Sequence, residues 1–160
     1  MKLPVELAYA QYADRVFAAA FSVCRNQADA DDVTQDTFLR YCTQRRDYEN
    51  EDHIRAWLLR VAINRAKDLT TSFWRRNRVT WEDYMEELPF EEPADGRLFE
   101  AVMRLPEKYR IVLHLFYYED YSVEEITGIL HSRTGTVKSQ LHRGRMLLKN
   151  QLMEDWNDDE

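Results

Sequence analysis

The sequence predicts an all-α protein made of two small helical domains joined by an acidic linker. Apolar residues recur at helical spacing along most of the 160 residues, and no stretch alternates like a β-strand for long. Gly and Pro number only four each, so few turns interrupt the helical patterns. Residues 79–96 are acidic and contain no Lys or Arg, which predicts domains at 1–78 and 97–153 and an acidic tail at 154–160.

The first predicted helix runs from about Pro4 to Arg25, because Pro is tolerated in the first turn of a helix. Its apolar stripe is expected to form core and comprises Leu7, Val16, Phe17, Ala20, Phe21 and Cys24. Both cysteines, Cys24 and Cys42, lie in apolar helical contexts, and we expect buried, reduced thiols. The sequence has no C-x-x-C motif or Cys/His cluster, so it predicts no metal site.

The second predicted helix begins near Asp29, whose side chain can cap it. The positions expected to face the core are Val33, Phe38, Tyr41 and Cys42. Another face carries four residues at spacing i, i+3, i+4 and i+7, namely Asp32, Gln35, Asp36 and Leu39. A polar stripe that ends in an exposed leucine is typical of a protein contact, although the pattern alone favours a solvated surface.

A third, long helix is predicted from about His53 to Arg76, with Asp52 as its cap and a polar connection at 43–50 before it. The residues expected to face inward are Ile54, Trp57, Leu58, Val61 and Leu69. Those expected outside are Arg60, Asn64, Arg65 and Lys67. The mixed aromatic and basic residues at 73–78 suit single-stranded nucleic acid or, equally well, an ordinary core with a basic surface.

The second domain is expected to begin with a short helix containing Leu98, Val102 and Leu105. Pro106 begins a further, buried helix that includes Ile111, Val112, Leu115 and Phe116. The tail at 154–160 is expected to be frayed.

Residues 121–149 predict two helices separated by a short turn. Ser122 and Glu125 have the spacing of a capping box. The apolar stripe of this helix is Ile126, Ile129 and Leu130, and residues 131–133 then break the pattern. The next helix starts at about Thr134 and places on one face Val137, Leu141, Gly144 and Leu148.

The opposite face of that last helix is predicted to contact DNA. It carries Lys138, Ser139, His142 and Arg143, and no acid occurs from residue 130 to residue 150. Such a face can enter the major groove, where Lys and Arg reach guanine acceptors and phosphates. At the start of the helix, backbone N–H groups can approach a phosphate, and the residues concerned are Thr134, Gly135 and Thr136. The alternative is an ordinary basic surface helix.

The charge distribution permits DNA binding although the net charge is -7. Basic residues concentrate at 55–78 and 130–149, and acids concentrate at 29–36, 82–95 and 154–160. Two basic surfaces could therefore face DNA while acidic surfaces face a basic protein partner. No catalytic constellation, cofactor motif, signal peptide or membrane span is recognisable, so we expect a non-enzymatic cytoplasmic protein without a cofactor.

Three stretches in this order resemble the extracytoplasmic-function sigma factors, small members of the sigma-70 superfamily of bacterial initiation factors. They read ADADDVTQDTFLR, DHIRAWLLRVAINRAKDL, and LPEKYRIVLHLFYYEDYSVEEITGIL followed four residues later by GTVKSQLHRGRMLL. The likeness extends from about Tyr9 to Leu152. It implies, in turn, a segment that binds polymerase, a helix that reads the minus-10 element and a module that reads the minus-35 element.

The resemblance implies a role for each candidate residue. The clamp helices of the polymerase β′ subunit would contact Asp32, Gln35, Asp36 and Leu39, which replaces the interpretation as solvated surface. The minus-10 element would meet Arg60, Asn64, Arg65 and Lys67. A base flipped from the melted non-template strand would be held by the loop that contains Arg45, Arg46 and Tyr48. The minus-35 duplex would contact Arg133, Thr134, Thr136, Lys138, Ser139, His142 and Arg143.

The resemblance also implies contact with the polymerase β flap, a linker that threads towards the polymerase active centre, and an anti-sigma factor as partner. The sequence departs from the family at residues 131–133, which replace a common Gly-apolar-Pro turn, so we expect His131 to adopt a positive φ. Gln140 and Gly144 stand where a basic residue and Ala are usual. The rival interpretations are a stand-alone helix-turn-helix regulator, which would normally dimerise, and an α-helical adaptor that binds only protein.

Overall fold

The computed structural model describes the backbone of residues 1–77 and 96–158 and the side chains of residues 1–71 and 96–154. Secondary structure in these ranges is entirely helical, which confirms the predicted all-α class. The chain divides into two compact units, Met1–Leu88 and Pro89–Glu160. The linker expected at 79–96 lies, apart from Gly96, outside the described residues. No helix in the described ranges is long and apolar enough to cross a membrane.

The first unit is a three-helix bundle of α1 (Val5–Cys24), α2 (Gln27–Thr43) and α3 (Glu51–Asn77), and each helix packs against the other two. Tyr41 of α2 lies at the centre with no exposed surface. Its ring lies 5.8 Å from the ring of Tyr48 and 6.2 Å from that of Trp57. Burial of large aromatic side chains contributes strongly to the stability of so small a core.

At the start of α1, the buried residues differ from those predicted. Leu7 is 51% exposed, whereas Ala8 and Val16 are fully buried and Tyr12 is nearly so. These three residues follow an i, i+4, i+8 row, and Leu7 lies about 100° around the helix from it. Arg25 ends the helix in the left-handed conformation, with φ 54°.

The caps of α2 and α3 come earlier in the chain than predicted. Asn26, not Asp29, caps α2, since its Oδ1 accepts a hydrogen bond of 2.8 Å from the Asp29 N–H. Asn50, not Asp52, has the same role for α3 and accepts from the His53 N–H at 2.9 Å. Asp29 instead lies in the first turn, where the helix dipole favours a carboxylate.

The inward faces of α2 and α3 follow the prediction only in part. Val33, Phe38 and Tyr41 are buried as predicted, but Cys42 is exposed, so the expectation of two buried thiols holds for Cys24 alone. In α3 the predicted Ile54, Trp57 and Leu58 are buried, whereas Val61 and Leu69 are only half-buried. Four buried residues of α3 were missed, namely Leu59, Ala62, Ile63 and Ala66.

The second unit comprises α4 (Arg97–Met103), α5 (Glu107–Leu113), a π-helical turn (His114–Tyr118), α6 (Val123–Leu130) and α7 (Thr134–Asp158). The long helix α7 packs against α4, α5 and α6 and so organises the unit. Leu98 lies in α4, as predicted, with its side chain exposed, and Ala101 and Met103 are the buried residues of this helix. Helix α7 continues to Asp158, so the backbone of residues 154–158 is helical.

Two local features set the geometry of this unit. The π-helical turn has wider hydrogen-bonded rings than an α-helix, and the Glu119 N–H donates to the His114 carbonyl at 3.2 Å. The next residue, Asp120, adopts φ 58°. Gly144 of α7 faces α5, where an added Cβ would lie 3.3 Å from Leu113 Cδ1. The absence of a side chain at this position therefore allows α5 and α7 to approach closely.

Candidate nucleic-acid and polymerase interfaces

Helices α6 and α7 form the predicted helix-turn-helix, and its turn is set by local hydrogen bonds. Ser122 Oγ accepts from the Glu125 N–H at 3.2 Å, and a Glu125 carboxylate oxygen accepts from the Ser122 N–H at 3.0 Å, which confirms the capping box. His131 ends α6 with φ 52°, as predicted. The Ser132 N–H then donates to the Thr127 carbonyl at 3.2 Å and closes the turn into α7.

The candidate DNA-contacting residues of α7 share an exposed face. Exposed side chains on this face are Lys138, Ser139, His142 and Arg143, and Arg133, Thr134, Gly135 and Thr136 are exposed at the start of the helix. On the opposite face Val137 and Leu141 are buried. One side of α7 is therefore fixed in the core while the other presents positive charge and hydroxyl groups to solvent.

Arg145 belongs beside this face, although the sequence interpretation did not select it. Its Nε donates to the Tyr117 hydroxyl at 2.6 Å, and its guanidinium lies 5.2 Å from the ring centroid of Phe116. The sequence could have identified Arg145, because it lies seven residues after Lys138 and therefore on nearly the same side of the helix. The contacts hold a cationic group in one orientation at the edge of the basic face.

The four candidate polymerase-contacting residues also share a face, on α2. Asp32 and Gln35 are exposed, Asp36 is partly exposed, and Leu39 is 62% exposed. The exposed Leu39 side chain adds an apolar contact at one end of this polar face. That arrangement is typical of a small protein–protein contact.

Asp36 and Arg65, expected to contact different partners, contact each other. Arg65 Nε donates to Asp36 Oδ2 at 3.2 Å and so links α2 to α3. Both side chains are more than one third exposed, so this ion pair contributes little stability. Of the other candidates on α3, Asn64 is exposed, and Arg60 and Lys67 are partly exposed. The two candidate interfaces therefore meet at one ion pair.

Tyr48 does not lie where the resemblance implied. Its side chain is 3% exposed and its ring packs against Tyr41 and Trp57, so the ring faces the core and not solvent. Burial raises the pKa of its phenol. Arg45 and Arg46 remain exposed, and the Arg46 guanidinium lies 5.8 Å from the Tyr48 ring centroid. Tyr48 thus anchors the loop in the core while its basic neighbours face solvent.

Comparisons with known proteins cover both units. Residues 8–79 match the family Sigma-70 region 2, and residues 95–148 match Sigma-70, region 4. The chain is 33% identical over 155 residues to the ECF RNA polymerase sigma factor SigE of Mycolicibacterium smegmatis, covering 89% of this chain and 59% of SigE. It is 29% identical to the RNA polymerase sigma factor SigV of Bacillus subtilis, covering 87% of this chain and 85% of SigV.

Two solved structures share the fold. The sigma factor RpoE in complex with the anti-sigma factor NepR, from Bartonella quintana, has a TM-score of 0.75 at 20% identity and covers 92% of this chain and 96% of that one. CnrH in complex with the cytosolic domain of CnrY has a TM-score of 0.69 at 24% identity, covering 94% and 88%. The arrangement of helices is thus common to these chains despite the low identity.

Proposed function

Because this chain belongs to the extracytoplasmic-function sigma factors of the sigma-70 family, we propose that it binds core RNA polymerase and directs initiation at specific promoters. A sigma factor is an initiation factor, and the polymerase carries out the bond chemistry. The observation that carries the proposal is the exposed basic face of α7, fixed by the buried residues on its other side. The protein would act in the bacterial cytoplasm, where the polymerase acts.

The minus-35 element is read, in this proposal, by the exposed face of α7. Lys138 and Arg143 supply cations for guanine acceptors or phosphates, and Ser139 and His142 supply smaller polar groups between them. The exposed N-terminal turn of α7, with Thr134 at its start, offers backbone N–H groups to a phosphate of the same duplex.

The minus-10 element is met by α3 and by the loop that precedes it. Asn64 and Arg65 lie on the accessible side of α3, and Arg45 and Arg46 project from the loop. Exposed guanidinium groups can bind the backbone of a melted strand and stack on its bases. Promoter melting is therefore assisted by holding the separated non-template strand on this unit.

Core polymerase is bound through α2, with Leu39 as the apolar anchor and Asp32 and Gln35 around it. The partners proposed on the polymerase are the clamp helices of β′ for the first unit and the flap of β for the second. An anti-sigma factor is proposed as a further partner, because one structure with this fold contains the sigma factor RpoE in complex with the anti-sigma factor NepR.

The test is transcription in vitro from a library of promoter fragments, using bacterial core polymerase with and without this protein. Starts at defined sites that need the protein support the proposal. Lys138→Glu and Arg143→Glu should abolish those starts, because each places an anion against the phosphates. Lys108→Glu changes the charge equally at an exposed position outside α7 and should leave them.

The alternatives give different results in the same experiment. No stimulation, combined with tight DNA binding by the protein alone, would establish a stand-alone regulator. No stimulation and no DNA binding would indicate an adaptor that binds only protein, or a core polymerase too distant to recognise this chain. Starts that persist in both charge-reversal variants would reject α7 as the minus-35 reader.

A further inference from the structure

The N-terminal segment, Met1–Pro4, runs along the loop between α2 and α3 and contacts both of its ends. Lys2 Nζ donates to the Gln44 carbonyl at 2.7 Å, at the start of the loop. The Tyr48 N–H donates to the Met1 carbonyl at 2.9 Å, at its end. These residues precede the part of the chain that matches Sigma-70 region 2, residues 8–79.

The buried core residue Tyr41 also contacts the N-terminal segment. The Tyr41 hydroxyl donates to the Leu3 carbonyl at 2.7 Å, and the Lys2 ammonium lies 5.1 Å from the centroid of the Tyr41 ring. Tyr41 is fully buried and cannot move without disturbing the core. Lys2 and Leu3 are therefore held against a rigid side chain and transmit that rigidity to the loop backbone.

A cleft of about 610 Å³ opens between the segment and the loop. Its lining consists of Lys2, Cys42, Thr43, Gln44, Arg45, Arg46 and Asp47. Three cationic side chains and one carboxylate line it, so its net charge favours an anionic ligand. The cleft is shallow and open to solvent, so a ligand would be held there by the cationic side chains rather than enclosed.

We propose that Lys2 positions this loop for the capture of an unpaired nucleotide, so that the N-terminal segment takes part in promoter opening. This inference rests on the proposed sigma function. Lys2 holds the Gln44 carbonyl, Met1 holds the Tyr48 amide, and Arg45 and Arg46 lie between these two fixed points. The loop therefore presents its arginines in one conformation before the strand arrives, which lowers the ordering cost of binding.

The experiment compares Lys2→Ala and Lys2→Arg in the full chain with core polymerase, on a promoter found in the transcription library. Lys2→Ala should slow open-complex formation about tenfold through loss of a charge-assisted hydrogen bond and a cation–π contact, while polymerase affinity is unchanged. Lys2→Arg should restore most of the rate, because it retains the charge and a donor. Lys108→Ala removes an exposed lysine of the other unit and serves as the control.

An abasic scan of the non-template strand separates this positioning role from a general structural one. One abasic position should slow opening by the wild-type protein and have little further effect with Lys2→Ala, because both changes remove the same interaction. Faster hydrogen exchange at the Tyr48 amide should accompany Lys2→Ala. Tyr41→Phe, which removes the bond to the Leu3 carbonyl, should give the same phenotype more weakly, and the exposed Tyr9→Phe should give none.

Three results would overturn the inference. The first is an opening rate for Lys2→Ala equal to that of the wild type. The second is that the rate effects of Lys2→Ala and of the abasic site multiply at every position. The third is that Lys2→Arg slows opening as much as Lys2→Ala does. A wild-type protein that supports no promoter-dependent start is a different result, because it rejects the sigma function itself.

Discussion

His114 makes the stability of the second unit depend on pH. Its ring stacks on Tyr118 at 4.7 Å, and Nε2 is enclosed without a hydrogen-bond partner among the described residues. Burial lowers the pKa of the imidazole from 6.5 to about 4. The unfolded chain therefore binds a proton as the pH falls below 6.5, whereas the folded chain does not until about pH 4.

The size of the effect follows from the shift in pKa. A difference of 2.5 units, 6.5 minus 4, corresponds to about 3 kcal/mol of unfolding free energy. This stability is fully present above pH 6.5 and is lost progressively as the pH falls towards 4. Below pH 4 both states are protonated, and His114 contributes no further change.

Proton NMR titration of the four histidine rings measures the pKa directly, and hydrogen exchange in α5 and α7 measures the stability of this unit between pH 7 and pH 4.5. His114→Leu should remove about 3 kcal/mol of the pH dependence. His142→Gln replaces an exposed imidazole and should leave it unchanged. A His114 resonance that titrates near pH 6.5, or equal pH slopes in wild type and His114→Leu, would refute the reasoning.

Two further predictions concern the helix contacts of each unit. Gly135→Ala should raise the melting temperature more than Gly144→Ala. An added Cβ at position 135 meets nothing within 4 Å, whereas at position 144 the helix-propensity gain of up to about 1 kcal/mol is offset by crowding against Leu113. Calorimetry that gives the opposite order of melting temperatures would contradict this prediction. A double-mutant cycle of Asp36→Asn and Arg65→Ala, measured by urea unfolding, should give a coupling free energy of at most about 1 kcal/mol, because both partners are partly exposed. A larger coupling free energy would mean that the pair is buried in solution.

The helix-turn-helix could be predicted from the sequence because its determinants are local. The capping box spans four residues, and the positive φ of His131 follows from the need to end α6 immediately before α7. The caps of α2 and α3 were harder to predict. Asn26 and Asp29, or Asn50 and Asp52, are all good N-cap residues, and only the packing of the chain as it enters the helix decides between them.

Non-local packing explains the remaining errors. Tyr48 follows a polar connection and looks like a surface residue in the sequence, yet Tyr41 and Trp57 together form a site that buries its ring. Cys42 was expected to be buried, but among the described residues its side chain is exposed and lines the cleft. Periodicity identifies which residues share a face, and it does not say where a neighbouring element stops covering that face.

The charge of the molecule gives a reason why the proposed promoter recognition would be divided between two units. The basic face of α7 offers only a small number of phosphate contacts, so few counterions are released when the chain meets DNA alone. The net charge of -7 adds a long-range repulsion. Either unit by itself would therefore bind a promoter weakly. Binding to polymerase would hold both units near one DNA molecule, and the second contact would then form at a high effective concentration. Under this proposal, weak binding by the free chain keeps it off DNA until the polymerase is present.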